Sequence, residues 1–158
     1  MLCRRLGTVD FESTFDGMKA FTASRTPETE DEIWLLQHPP VYTQGLSGKP
    51  EHVLDPGEVP IIQIDRGGQV TYHGPGQWVA YVLYDLRRAN VNVRQLVTLL
   101  EAAMMRVLGE WGIKACGDPD ARGVYVDGCK IGALGLKVSK GRSYHGLSLN
   151  VDMDLTPF

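Results

Sequence analysis

The amino-acid sequence predicts one α+β domain in which helices pack against a mixed, mostly antiparallel β-sheet, and three observations carry that prediction. Runs rich in Val, Ile, Tyr and Trp outnumber helical segments. A single stretch, Asn92 to Gly112, holds a long helical pattern of apolar residues. Three strand-like runs then follow one another with no helix between them in the last third of the chain. At 158 residues the chain can build one sizeable core and is too short for two comfortable ones.

The elements read in order as follows. The start, "MLCRRLGTVDF", has arginines with no apolar stretch behind them and so is not a secretory signal. From Phe11 to Ser24, the near-helical spacing of Phe15, Met18, Ala20 and Phe21 predicts a helix. "RTPETEDE", Arg25 to Glu32, carries four acids and reads as a solvated turn. "IWLLQH" reads as a buried strand, and "PPVYTQG" as a second extended piece, because a residue before proline avoids the helical region. "PIIQID" and "WVAYVLYDL" are strands flanking the loop "RGGQVTYHGPGQ", Arg66 to Gln77. In the long helix, Val93, Leu96, Val97, Leu100, Ala103, Met104, Val107, Leu108 and Trp111 make one apolar face. Asn92 can cap it with Gln95 as capping-box partner, and Gly112 supplies a stop. A short strand around "IKAC" and a "GDPDAR" turn lead into "GVYVDG", "KIGALGLKV" and "YHGLSLNV", the last two joined through "SKGR". The strands holding Val70, Ala80, Leu134 and Leu149 are expected in one sheet, with the Val93 to Trp111 helix packed on it.

Composition narrows the function. Apolar residues at 43% and charged residues at 22% are ordinary for a globular protein. A formal charge of −3 and a pI near 5.8 argue against nucleic acid as the main partner, and no membrane-spanning stretch is visible. Cys3, Cys116 and Cys129 are odd in number and widely spaced, with no CxxC pair to suggest zinc or a redox motif. They read as small buried hydrophobes in a protein of the reducing cytoplasm.

The loop Arg66 to Gln77 packs four glycines, a proline, an arginine and a histidine into twelve residues. Glycine is used where φ must be positive or where something approaches the backbone closely. A small-molecule site between strands is one reading, and a bulged sheet corner is the other. "QVTYH" alternates, so Val70 and Tyr72 share one face while Gln69, Thr71 and His73 share the other. Downstream, "DGCKIGALGLKV" sets Lys130 at the head of a strand with small residues Gly132, Ala133 and Gly135 among Ile131, Leu134 and Leu136. Apolar floor and open backbone together suit an acyl chain with a polar head.

With "YHGLSLNV" added, these residues closely resemble the lipoyl(octanoyl) transferases, the octanoyl-acyl carrier protein:protein N-octanoyltransferases of the biotin/lipoate protein ligase-like superfamily. The run "GVYVDGCKIGALGLKVSKGRSYHGLSLNVDMDLTPF" matches the family in order and spacing, and the resemblance extends from "DEIWLLQHPPVYTQG" to the last residue. It implies one octanoyltransferase domain over residues 1–158, of the superfamily's catalytic-domain fold. It also implies transfer of an octanoyl or lipoyl group from acyl carrier protein to a lysine of the lipoyl domains of 2-oxoacid dehydrogenases and of glycine cleavage H protein. Substrate would be held by Arg66, Gly67, Gly68, Gln69, Val70, Thr71, Tyr72 and His73, by Ala133, Leu134 and Gly135, and by Gly146, Leu147 and Ser148. His73 and His145 read as pocket wall and hydrogen-bond donors, with no metal and no cofactor. Lys130 corresponds to the lysine that activates the nucleophile. The nucleophilic cysteine itself would lie in an "xNPCG" segment after the position of Phe158, so that the chain reads as C-terminally truncated. Cys129 is expected to face away from Lys130, because neighbours on a strand point to opposite faces.

A thioester donor is already activated, so transfer needs a nucleophile, a basic amine acceptor and an oxyanion site but no ATP. Two alternatives stay open at this point: an acyl-binding protein without the nucleophile, and an ATP-dependent lipoate or biotin ligase. The ligase would need a phosphate-binding cluster of the GRGRxG kind, and the loop has one arginine, Arg66. Lys137, Lys140 and Arg142 around one turn form either a solvated hairpin or a basic docking edge for acidic partners.

Overall fold

The computed structural model describes residues Met1–Phe158. The elements are β1 (Leu2–Thr8), α1 (Phe11–Ser24), β2 (Glu32–Gln37), β3 (Val41–Gln44), β4 (Ile61–Gln63), β5 (Val70–His73) and β6 (Gln77–Leu83). They continue as α2 (Leu86–Ala89), α3 (Val93–Glu110), β7 (Cys116–Gly117), β8 (Val124–Val126), β9 (Cys129–Ser139) and β10 (Arg142–Asn150).

Seven strands form the main sheet in the order β1-β2-β6-β10-β9-β8-β7. Only β1 and β2 pair in parallel; every other pairing in this sheet is antiparallel. A second, three-stranded sheet runs β4-β3-β5. Val70 therefore leaves the sheet that holds Ala80, Leu134 and Leu149, contrary to expectation. Side-chain alternation identifies a strand but does not name its partner, and here β5 pairs with β3, Val41 opposite His73 through Gln44 opposite Val70.

Alternation along β6 sends Val79, Tyr81 and Leu83 to one face and Val82 to the other. The first face packs with Phe11 and Met18 of α1, Leu36, Val41, Ile64 and Tyr144. Asp10 caps α1, its carboxylate accepting the Ser13 N–H at 3.0 Å. On the other face Val82 packs with Leu86 and Leu96, and beside them Met104 and Leu108 pack with Val124. The α3 cap is the expected reciprocal box: Asn92 Oδ1 accepts the Gln95 N–H at 2.9 Å, and Gln95 Oε1 accepts the Asn92 N–H at 2.8 Å. Its buried stripe is narrower than expected. Leu96, Met104 and Leu108 are buried, whereas Val93 and Val107 are exposed and Trp111, at the C-cap, is 81% exposed.

Three further expectations change. "RTPETEDE" is not a free loop: Asp31 Oδ1 bridges Arg25 at 2.5 Å and Arg88 at 2.7 Å, and buried Glu32 pairs with Arg4 at 2.6 Å. Arg142 is unavailable for a docking edge, since it reaches Asp85 at 3.3 Å and the Arg25 carbonyl at 2.5 Å. All three cysteines are free and exposed, because they sit on the edge strands β1 and β7 and on the first residue of β9. No helix is long and apolar enough to cross a membrane.

Candidate active site

A cavity of about 880 Å³ lies between the two sheets. The β4–β5 connection forms one wall by lying directly on β9. Gly135 makes that approach possible: a Cβ there would stand 2.8 Å from Arg66 Cδ and 3.1 Å from the Gly67 carbonyl oxygen. The Gly67 N–H donates to the Leu136 carbonyl at 3.2 Å and ties the loop to the strand. Arg66, Gly67, Gly68, Gln69, Val70, Thr71 and His73 line this wall, Lys130, Ala133, Leu134 and Gly135 line the next, and His145, Gly146, Leu147 and Ser148 line the third. Tyr72 does not line the cavity. Its ring packs instead against Tyr42 at 5.3 Å and Phe158 at 5.9 Å between centroids.

The floor of the cavity is a directed chain of hydrogen bonds. Arg66 Nη2 donates to the Thr43 carbonyl at 2.8 Å and to Thr43 Oγ1 at 3.0 Å, which leaves the Thr43 hydroxyl proton to point at His73 Nε2, 3.4 Å away. His73 Nδ1 donates to Gln77 Oε1 at 2.6 Å, and Gln77 Nε2 passes on to Asn150 Oδ1 at 2.9 Å. Burial without an opposite charge favours the neutral form of each base, pushing Arg66 down to about 10 and His73 down to about 3. Arg66 meets only carbonyl and hydroxyl oxygens, so the polar end of the cavity carries uncompensated positive charge.

His145 is 2% exposed and takes φ 59°, a left-handed conformation that costs a non-glycine residue about 1–3 kcal/mol. The surroundings offset that strain. Its Nε2 donates to Asp65 Oδ1 at 2.9 Å, its ring lies 5.2 Å from Phe15, and the neighbouring Tyr144 hydroxyl donates to the other Asp65 oxygen. Burial opposes the charged form of Asp65, yet the Tyr144 and His145 bonds outweigh it and hold the carboxyl below its ordinary value. Burial lowers His145 despite Asp65, so the pair is a neutral imidazole donating to a carboxylate. Behind it, His38 Nδ1 donates to the Val9 carbonyl at 2.7 Å, and His38 Nε2 therefore accepts from the Tyr81 hydroxyl at 2.7 Å.

Lys130 lines the mouth of the cavity and is solvent-exposed. It does not reach in toward the Arg66–His73 loop. Its Nζ donates to the Arg122 carbonyl at 3.1 Å and stands 5.3 Å from the Tyr125 ring centroid. Cys3, Cys116 and Cys129 are absent from the cavity lining. The residues that sequence reasoning missed are polar ones: Asp65, Thr43, Gln77 and Asn150. Asp65 ends the apolar run "PIIQID" immediately before the glycine loop, and a carboxylate at a strand end beside two later histidines is the signal that could have singled it out. Thr43, Gln77 and Asn150 carry none, since each looks like an ordinary strand polar residue.

Residues 12–158 match the model of the lipoyl protein ligase A/B catalytic domain family. An octanoyltransferase of Chromobacterium violaceum is 59% identical over 157 residues, 99% of this chain and 76% of that protein. An octanoyltransferase of Aromatoleum aromaticum is 60% identical over 158 residues, all of this chain and 68% of that one. Among solved structures, lipoate-protein ligase A bound with ATP superposes with a TM-score of 0.80 at 16% identity, covering 98% of this chain and 69% of its own. The bipartite lipoate protein ligase of Thermoplasma acidophilum, described with its E2 lipoyl domain, gives 0.72 at 18% identity, covering 98% and 62%.

Proposed function

Because the chain belongs to the lipoyl protein ligase A/B catalytic domain family and matches its octanoyltransferases in sequence, we propose that it is an acyltransferase acting on an octanoyl or lipoyl group. The donor is acyl carrier protein. The acceptors are lysines of lipoyl domains, those of 2-oxoacid dehydrogenases and of glycine cleavage H protein, and residues 1–158 belong to one domain working in the cytoplasm, where free exposed thiols persist. The observation that carries this reading is the cavity, apolar along Val70, Ala133, Leu134 and Leu147, floored by backbone and hydrogen-bonding groups, and open at Lys130.

Transfer proceeds in two balanced steps. A thiolate attacks the carbonyl carbon of the donor thioester, the carbon–sulfur bond to the carrier breaks, and the carrier sulfur takes up a proton. The acceptor amine then attacks the new thioester, the amide forms, and the first thiol leaves while the amine loses its surplus proton. Lys130 stands at the mouth, as an ammonium that lowers the thiol's pKa and gives its proton to the departing carrier sulfur, and then as the resulting neutral amine that takes the proton the acceptor loses. The tetrahedral oxyanion formed in each step calls for hydrogen-bond donors, each contributing about 3–4 kcal/mol where well placed. The thiol comes from a segment following the position of Phe158, the cysteines within residues 1–158 lying outside the cavity.

The test is intact mass spectrometry after incubation with octanoyl-acyl carrier protein and a lipoyl domain, with peptide mapping. Residues 1–158 bind octanoate and form no thioester; with a cysteine-bearing segment following Phe158, the thioester forms and the lipoyl domain gains one octanoyl group on lysine. An octanoyl adduct on Cys129 or Cys116 that passes to the lipoyl domain overturns the assignment of the thiol. Failure to bind octanoate overturns the function.

A further inference from the structure

Glu101 is 6% exposed on the packed face of α3, one helical turn from Val97 and Met104. A carboxylate in that position is costly unless it is hydrogen-bonded and paired. Both partners come from one loop. Glu101 Oε1 accepts the Gly123 N–H at 3.1 Å, and Oε2 accepts from Arg122 Nη1 at 3.3 Å.

The peptide between those partners is the one that holds Lys130. The Arg122 carbonyl accepts Lys130 Nζ at 3.1 Å, and Gly123, at φ 144°, is shaped around the lysine stem. A Cβ at Gly123 would stand 3.0 Å from Lys130 Cε and 2.7 Å from the Gly132 carbonyl oxygen. The rest of the loop is tied independently, through Asp118 Oδ1 to the Asp120 N–H at 2.8 Å and through the Tyr125 hydroxyl to the Ala121 carbonyl at 2.7 Å. Glu101 thus fixes the orientation of one peptide group, and that peptide aims the lysine.

We propose that Glu101 is a positioning residue for Lys130, acting through the Arg122–Gly123 peptide to hold the ammonium at the cavity mouth. The inference deepens the acyltransferase reading and rests on Lys130 being its activating lysine. A carboxylate that served only to anchor α3 to the loop would change stability without changing the lysine.

The first readout is the rate at which an amine-selective reagent labels Lys130 relative to exposed Lys140, followed by peptide mapping of the 158-residue chain. Glu101→Leu removes both acceptors, and Glu101→Gln keeps an oxygen for the Gly123 N–H if the leucine variant does not fold. Labelling of Lys130 against Lys140 rises by about fivefold in Glu101→Leu, less in Glu101→Gln, and also in Gly123→Ala, where Glu101 is intact but the stem is displaced. In protein carrying the nucleophilic segment, Glu101→Gln lowers kcat by about tenfold at unchanged KM for the acyl donor, because misaimed catalytic groups lose rate and not binding. An unchanged Lys130 to Lys140 ratio in folded Glu101→Leu or Glu101→Gln, with only the melting temperature lowered, overturns the proposal. Normal transfer by Lys130→Ala is a separate result and would overturn the role given to Lys130.

Discussion

His145 Nε2 stands 2.9 Å from Asp65 Oδ1, joining the third wall of the cavity to the β4–β5 connection while His145 keeps a left-handed backbone. The same carboxylate takes the Tyr144 hydroxyl. Replacing Asp65 by Leu leaves two donors without partners in a mostly buried place, at a cost of about 2–4 kcal/mol. Asp65→Asn keeps one acceptor oxygen and costs about half as much. Urea unfolding of the two variants measures the difference, and equal losses would contradict the shared role of both carboxylate oxygens.

Acid weakens the fold through its buried histidines. Burial lowers His38 and His145 and takes His73 from 6.5 down to about 3. Each folded value lies below its unfolded value, so the unfolded chain binds protons first as pH falls. Their stabilisation is complete above about pH 6.5 and is lost as pH drops toward the folded values. The melting temperature falls between pH 7.5 and pH 5.5, and His73→Phe, although less stable at pH 7.5, shows a shallower fall. A slope unchanged by the substitution would count against this assignment.

Lysine position at the mouth separates chemistry from binding. In protein bearing the nucleophilic cysteine, Lys130→Ala slows acyl transfer by about a hundredfold and slows alkylation of that thiol by iodoacetamide, while octanoate binding is kept. Lys137→Ala does neither. Equal alkylation rates for the two variants would remove Lys130 from its role.

Gly135→Ala tests how the loop lies on β9. The new methyl would press on Arg66 Cδ and the Gly67 carbonyl and lift the wall. Octanoate affinity falls by about tenfold or more, corresponding to at least 1.4 kcal/mol. Isothermal titration gives the affinity, and tight binding with displaced Arg66 would show that the arginine is not part of the polar end.

Much of this was legible in the sequence where local pattern decides structure. The α1 bounds, the Asn92–Gln95 capping box and the hairpin through Lys140 and Gly141 follow from spacing and turn chemistry, and the structure has them. β1 was not legible: it is an exposed edge strand of mixed residues, and its only support is parallel pairing with β2. Division into two sheets was hidden for the same reason, since β5 owes its place to β3, which lies 26 or more residues away in sequence. The glycine loop, the Ala133–Gly135 strand and the Gly146–Ser148 strand announced a cavity, but the polar links behind them did not. Glu101 looked like one acid in an apolar helix, and only the fold shows that Gly123 waits opposite.

The cavity's walls belong to two separately hydrogen-bonded sheets, pinned together by the Gly67–Leu136 backbone bond and by Asp65. Mechanically, it is a joint with a seam and not a hole bored through one sheet. Across that seam Val41 and Ile64 on one side pack with Val79, Tyr81 and Tyr144 on the other, so the aperture is set by side-chain packing and not by either ladder. A change at a pin alters the gauge of the joint while both halves keep their shape.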